Sequence, residues 1–325
     1  MKNENRIEYY KEKIIVAEQD AHKRIDNFLF EHLSNEMEDE FPEISISRNK
    51  VQKFVKQGYI LVNEILVKQS YQLKPGDKIE IKIPIEFGKE LEVKPEKIFF
   101  EIIYFDKDII VINKPPGLVV HPSYGHYSHT LVNGILYYFP EMKKNTNLSR
   151  FGLVHRLDKD TSGILIIARN DMAQINLSMQ FKLRKIEKEY IGIVKGNLKN
   201  YEGEISTRIG RNPLHRKKMT VLLTGGKEAF TSYKVIEYLK DFTYVKLYPH
   251  TGRTHQLRVH MNYLGHPIVG DAIYTRAKTE FDALGLMLCA KKIKFCHPQD
   301  NREMNFEIDI PDRFEILLNK IKGEK

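Results

Sequence analysis

The opening third of the chain combines helical and strand-like hydrophobic patterns. Apolar residues recur at helical spacing through HKRIDNFLFEHL (22–33), which predicts an amphipathic helix. A second helix is predicted from Ser47, a favourable N-cap, to the residue before Gly58. Residues 59–84 then read as short strands interrupted by turn residues. This part of the chain is therefore predicted to form a small α+β module.

Beyond residue 98 the pattern changes to repeated apolar runs of strand length. Helical spacing returns at about 171–184 and 254–264, and Gly265 ends the second of these helices. Strands outnumber helices and several are neighbours in the chain, so the sheet should be largely antiparallel and the fold class α+β. The predicted strands are FFEIIYF (99–105), DIIVINKP (108–115), GILIIARN (163–170), KEYIGIVKG (188–196), AFTSYKVIEYL (229–239) and FTYVKLYPH (242–250).

These patterns predict how the chain is divided. We expect an N-terminal extension at 1–21, the small module at 22–84, a linker at 85–97 and a large domain at 98–325. The acidic stretch EMEDEFPE (36–43) falls between the two predicted helices, and we expect it to form a solvated loop.

Charge is distributed unevenly along the chain. The formal net charge is +9, yet residues 1–90 hold 15 Lys/Arg against 17 Asp/Glu. Residues 182–227 hold 12 against 4, a local excess of 12 − 4 = +8. Such a block attracts phosphate-rich partners, although many soluble proteins also have a basic surface.

Cysteine content and the N-terminal sequence predict the cellular compartment. Two cysteines are too few for a disulfide framework, which indicates a reducing environment. The first sixteen residues lack the apolar core of a signal peptide, and no apolar run approaches the length of a membrane span. We therefore predict a cytoplasmic protein.

The stretch HRLDKDTSG (155–163) poses the main chemical question. It lies before an apolar strand, where loops often carry functional groups, but a turn with side-chain hydrogen bonds would need similar residues. Asp158 and Asp160 approach the spacing of an aspartyl-phosphate enzyme, but the fifth position, Ser162, departs from it. No acidic pair for magnesium follows, and P-loop and G-x-S-x-G patterns are absent from the sequence.

Histidines and cysteines offer a weak case for a metal site. His250, His255 and His260 recur every five residues, a spacing that does not align side chains on one helical face. Cys289 and the Cys296-His297 pair lack a second ligand pair. We expect no metal, and we interpret these histidines as core or loop residues.

Five further segments follow one another along the chain: IIVINKPPGLVVHP (109–122), FGLVHRLDKDTSGILIIARN (151–170), KEYIGIVKG (188–196), IGRNPLHRKKM (209–219) and HTGRTHQLRVHMNYLGHPIVGD (250–271). Taken together, they resemble the RluA family of RNA pseudouridine synthases, in its larger ribosomal-RNA branch. Residues 22–84 likewise resemble the small RNA-binding module first known from a small-subunit ribosomal protein. The resemblance implies that uridine in RNA is isomerised to pseudouridine by base flipping, without a cofactor.

The resemblance also implies roles for individual residues. Asp158 corresponds to the essential carboxylate, which must stay ionised in a site closed off from water. Arg253 matches the cation that pairs with it, and Arg258 is the less favoured candidate. Tyr190 would stack on the extruded base and assist proton removal at carbon five, and Arg156 would fill the gap that the base leaves.

Further basic residues are expected to contact RNA phosphates, although a solvated charged face would look the same. The substrate is predicted to be large-subunit ribosomal RNA and the protein a monomer. Transfer RNA stays open as a substrate, and so does a non-catalytic role in RNA binding or ribosome assembly. The expected phosphate contacts are Arg208, Arg211, Arg216, Lys217 and Lys218 on a predicted hairpin, and Arg48, Lys50 and Lys53 in the small module.

Overall fold

The structure of this chain is a computed structural model that divides into two compact units, Met1–Glu92 and Val93–Lys325. The division falls inside the segment predicted as a linker. In the described part of the chain, no helix is both long and apolar enough to cross a membrane. The residues that the structure describes are 9–40, 46–84, 93–121, 128–144, 149–215, 218–275 and 280–323.

The smaller unit is a three-stranded antiparallel sheet with two helices. Its strand order is β1-β3-β2, and its core is built from side chains of both helices and the sheet, including Leu29, Phe54 and Ile81. Ser47 caps the second helix, since its side chain accepts a hydrogen bond from the Lys50 backbone N–H. The elements are β1 (Tyr9–Ile15), α1 (Ile25–Glu40), α2 (Arg48–Lys56), β2 (Ile60–Val62) and β3 (Lys78–Pro84).

Two sequence-based predictions about this unit are wrong. The predicted extension 1–21 is not separate over its described residues, because Tyr9–Ile15 pairs along its length with Lys78–Pro84, while residues 1–8 lie outside the described residues. The acidic stretch 36–43 is not wholly a loop, because α1 continues through Glu40. Glu and Met favour helix and no breaker occurs before Pro42, so the helix can continue. Residues 41–43 lie outside the described residues.

The larger unit is built on one ten-stranded sheet in which neighbouring strands are antiparallel, except for a short parallel contact between β6 and β12. The strand order is β4-β5-β6-β12-β7-β11-β10-β8-β9, with β13 also on β12. Its strands are β4 (Glu101–Phe105), β5 (Ile109–Lys114), β6 (Ser162–Ala168), β7 (Glu187–Lys195), β8 (Glu202–Arg211), β9 (Met219–Val221), β10 (Lys227–Leu239), β11 (Phe242–Pro249), β12 (Leu288–Cys296) and β13 (Glu303–Glu307). Its helices are α3 (Leu131–Tyr138), α4 (Asp171–Lys182), α5 (Gln256–Tyr263) and α6 (Asp312–Lys322).

The central strands of this sheet are buried on both faces. In β5, Ile109 and Val111 join one hydrophobic cluster, while Ile110 and Ile112 join another on the opposite face. Helices α4 and α6 pack into the first cluster and α3 into the second. Covering both faces explains why these strands are continuously apolar in sequence, and it fixes the strand ends from which the site is built.

Candidate active site

Asp158 lies in the loop that leads into β6, and neighbouring backbone interactions hold this loop. The Thr161 N–H donates to the Asp158 carbonyl (3.2 Å), which closes a turn beneath the carboxylate. The fully buried Lys114 ammonium donates to the carbonyls of Pro115, Leu118 and Lys159 at 2.7–3.0 Å. Burial lowers the pKa of Lys114 to about 7. Lys114 therefore ties the turn after β5 to the Asp158 loop.

The cation beside Asp158 is Arg258. Its Nη1 donates to the Asp158 carboxylate at 3.4 Å, while its Nε and Nη2 form a bidentate pair with Asp271 at 2.7 and 2.8 Å. The side chains of Arg258 and Asp271 are almost fully buried, and that of Asp158 is 18% exposed. Burial alone would lower the pKa of Arg258, but Asp271 and Asp158 raise it overall. One guanidinium thus joins two carboxylates, one structural and one open to the cavity.

The predicted pairing of Asp158 with Arg253 is wrong in this structure. Arg253 precedes α5, and its Nε donates to the Glu228 carbonyl of β10 at 2.8 Å. Buried Gln256 holds this segment, because its Oε1 accepts from the Arg253 N–H and its Nε2 donates to β10. Arg253 consequently faces β10, whereas Arg258 in the first turn of α5 reaches Asp158.

Tyr190 projects from β7 into the same site. It is half-buried and packs against both hydrophobic clusters of the large unit. Burial raises the pKa of Tyr190 above its ordinary value, and the Asp158 carboxylate raises it further. The side chain is therefore a neutral phenol at physiological pH, with an aromatic face available to a planar ligand.

These residues line a cavity of about 520 Å³, a size typical of small-ligand sites. Asp158, Tyr190 and Arg258 lie together with Arg253 and the exposed Arg156 along its wall. The structure thus brings the three predicted catalytic residues, the predicted base-flipping Arg156 and the less favoured Arg258 to one cavity, although the ion pair with Asp158 differs from the prediction.

Three further residues of this site were not predicted from the sequence. Asp271 fixes Arg258, and the available signal in the sequence was an arginine between Leu257 and Val259, because an arginine that is buried among apolar residues needs an acidic partner. Lys188 lines the cavity two residues before Tyr190. His255 also lines it, and as N-cap of α5 it adopts a left-handed conformation (φ 56°) with its Nδ1 2.9 Å from the Tyr274 hydroxyl. Nothing in the sequence pattern indicated that conformation.

The predicted phosphate-binding residues occupy several places. Arg208 holds the turn before β10, since its Nε and Nη2 donate to the carbonyls of Gly225 and Gly226. In the small unit, Arg48 contacts the buried Asp26 at 3.3 Å, so part of its charge is already paired. Arg211 and Lys218 flank a loop between β8 and β9, and Lys50 and Lys53 lie on α2. Arg216 and Lys217 lie outside the described residues.

One carboxylate–histidine cluster has a geometry that could suit a metal ion, and it lies apart from the cavity lining. It consists of Asp106, Asp108 and His297, without either cysteine. His297 Nε2 lies 2.9 Å from an Asp106 oxygen that also accepts from the Tyr104 hydroxyl. Asp106 and His297 therefore belong to a hydrogen-bond network that joins the turn between β4 and β5 to the turn after β12.

Comparison with known proteins agrees with this arrangement. Residues 108–263 match the family model of RNA pseudouridylate synthase, and residues 43–79 match the S4 domain. An uncharacterized RNA pseudouridine synthase of Bacillus subtilis is 38% identical over 95% of this chain and 97% of its own. The ribosomal large subunit pseudouridine synthase D of Borreliella burgdorferi is 38% identical over 86% and 85%. The solved human RNA pseudouridylate synthase domain containing 1 has a TM-score of 0.54 and 30% identity, covering 66% of this chain and 85% of that one.

Proposed function

Because this chain belongs to the RNA pseudouridylate synthase family, we propose that it isomerises specific uridines of large-subunit ribosomal RNA, with Asp158 as the essential carboxylate. The observation that carries the proposal is the position of Asp158, which is partly enclosed in a cavity and 3.4 Å from Arg258. The charge of Arg258 offsets the cost of enclosing the carboxylate, and Asp271 holds Arg258 in place.

The reaction breaks the bond between the ribose and ring nitrogen one, turns the uracil, and joins the ribose to ring carbon five. Carbon five then loses its proton, and nitrogen one gains one, so no redox change occurs. Asp158 is the group that attacks or takes a proton beside the ribose, since it is the carboxylate that the cavity presents. Arg258 stabilises the negative charge of Asp158 before and after that step.

Tyr190 is assigned two roles in this proposal. Its ring stacks on the extruded uracil, because an unstacked base needs an aromatic surface in place of its neighbours. Its raised pKa means that the hydroxyl keeps its proton, so it can assist removal of the proton at carbon five only by relaying that proton onward.

The RNA itself is held by groups around the cavity. Arg156, exposed at the cavity wall, fills the gap left in the RNA by the flipped uridine. Arg253 lies on the same wall and is assigned to binding the RNA rather than to pairing with Asp158. The basic segment between β8 and β10 and helix α2 supply phosphate contacts that do not read bases.

The choice of large-subunit ribosomal RNA rests on two relatives whose names refer to that RNA's subunit. The synthases D of Borreliella burgdorferi and Neisseria meningitidis, at 38% and 36% identity, are both named for the ribosomal large subunit. The proposal implies that the protein works in the cytoplasm, where this RNA is made. We further propose that it acts as a monomer, since one chain supplies the described cavity lining.

The test uses RNA labelled with tritium at carbon five of uridine. Purified protein should release tritium from large-subunit ribosomal RNA and not from transfer RNA, and D158N should release none while binding the same RNA almost as tightly. Release from transfer RNA alone would replace the proposed substrate. Failure of the folded protein to release tritium from any RNA would favour a binding protein without turnover.

A further inference from the structure

The catalytic cavity contains a lysine whose ammonium has no hydrogen bond and no ion pair among the described residues. Lys188 lies on β7 two residues before Tyr190, so both side chains leave the same face of the strand. Among the described residues, no acceptor or carboxylate contacts the Lys188 ammonium. The adjacent Glu189 is already engaged by Lys246 at 2.8 Å and by the Tyr248 hydroxyl. Lys188 therefore presents an uncompensated positive charge to the cavity.

Phe181 and His155 form the cavity wall beside the Lys188 ammonium. The ammonium lies 5.9 Å from the centre of the Phe181 ring, which stacks on His155 at 4.7 Å. His155 accepts a hydrogen bond from the Ile166 N–H through Nε2, and burial lowers its pKa to about 3, so it remains neutral. This wall positions the Lys188 ammonium but supplies no negative charge to pair with it.

In the protein without RNA, enclosing the charged Lys188 ammonium is energetically unfavourable. Burial lowers the pKa of Lys188 to about 8, which shows that its charged form loses solvation without gaining an equivalent contact. Arg258 differs, because Asp271 and Asp158 satisfy it. A bound anion would offset the cost at Lys188, so the residue is suited to a negatively charged part of the ligand.

Resting on the proposed function, we propose that Lys188 binds a backbone phosphate next to the extruded uridine and so places its ribose over Asp158. Uracil is neutral, and phosphate is the charged group of a nucleotide. Side chains two residues apart on a strand are separated by about 7 Å, which lets Tyr190 contact the base while Lys188 reaches the backbone of the same nucleotide. A compact ammonium suits a phosphate oxygen as a point charge.

The proposal is tested with a double-mutant cycle, in which a substitution of Lys188 is combined with a modified phosphate in a short RNA that contains the target uridine. The phosphate on its 5′ or its 3′ side is replaced by an uncharged methylphosphonate, and kcat/KM is measured for each RNA. The wild type should lose roughly ten- to hundredfold at one of the two positions. Lys188→Met should lose a similar factor on the natural RNA and almost nothing more on that modified RNA.

Controls separate the proposal from its alternatives. Lys188→Arg keeps the charge and should keep most of the sensitivity to the modified phosphate, whereas Lys246→Met, a lysine already paired with Glu189, should behave as wild type. Independent, multiplied losses at both positions would overturn the assignment and indicate a contact with the base. Wild-type protein that converts no RNA would overturn the proposed function, and this assignment with it.

Discussion

At the residue scale, the site depends on how one arginine is shared. Arg258 gives one edge of its guanidinium to Asp271 and leaves Nη1 for Asp158. The sequence places Arg253 and Arg258 in one segment, five residues apart, and the family resemblance favoured Arg253 as the partner of Asp158. The choice is made where α5 begins, at Gln256, because that start places Arg258 in the first turn and leaves Arg253 tied to β10.

This division predicts different effects for two matched substitutions. Arg258→Lys keeps the charge but cannot make the bidentate pair, so the rate of tritium release in a single turnover should fall at least tenfold. Arg253→Lys should change that rate less than threefold at saturating RNA and mainly raise KM. Equal losses of rate in the two variants, or a larger loss for Arg253→Lys, would instead support Arg253 as the cation that pairs with Asp158.

At the scale of elements, hydrophobic periodicity predicted six of the ten described strands of the large sheet. The runs at 108–115 and 163–170 are continuously apolar because both faces of β5 and β6 are buried. The end of α1 was missed, since residues 36–40 carry charge that suits a solvated loop and a helix equally. The parallel contact of β6 with β12 was beyond prediction, because it joins segments more than a hundred residues apart.

That parallel contact imposes a strict requirement on Gly163. Its φ is +113°, and an added Cβ would lie 2.3 Å from the Ala290 carbonyl oxygen. Gly163→Ala should therefore lower the free energy of unfolding by about 3 kcal/mol or more, measured by chemical denaturation. Gly252→Ala is the control, since its Cβ would meet no atom within 4 Å, and its stability should stay within about 0.5 kcal/mol of wild type. Similar losses in both would show that the strand contact is not the cause.

At the scale of the whole molecule, each unit has a hydrophobic core of its own. The core of the small unit draws on residues between Tyr10 and Ile83, and the clusters of the large unit begin at Val93. Periodicity predicted both units, but it missed β1, because Tyr9–Ile15 is an edge strand whose three middle residues, Lys11, Glu12 and Lys13, are all charged. The cavity around Asp158 is lined by residues of the large unit, so the candidate site and the small unit occupy separate parts of the sequence.

We therefore expect a fragment of residues 93–325 to fold and to retain turnover. At saturating RNA its kcat should lie within about twofold of that of the whole protein, because every described residue that lines the cavity lies within the fragment. Its affinity should fall, and the dependence of log Kd on log salt should become shallower by roughly 0.7–0.9 for each RNA phosphate that α2 neutralises in the whole protein. Thermal melting and salt-dependent binding measure these effects. A folded fragment with a much lower kcat at saturation would mean that the small unit contributes to the chemical step itself.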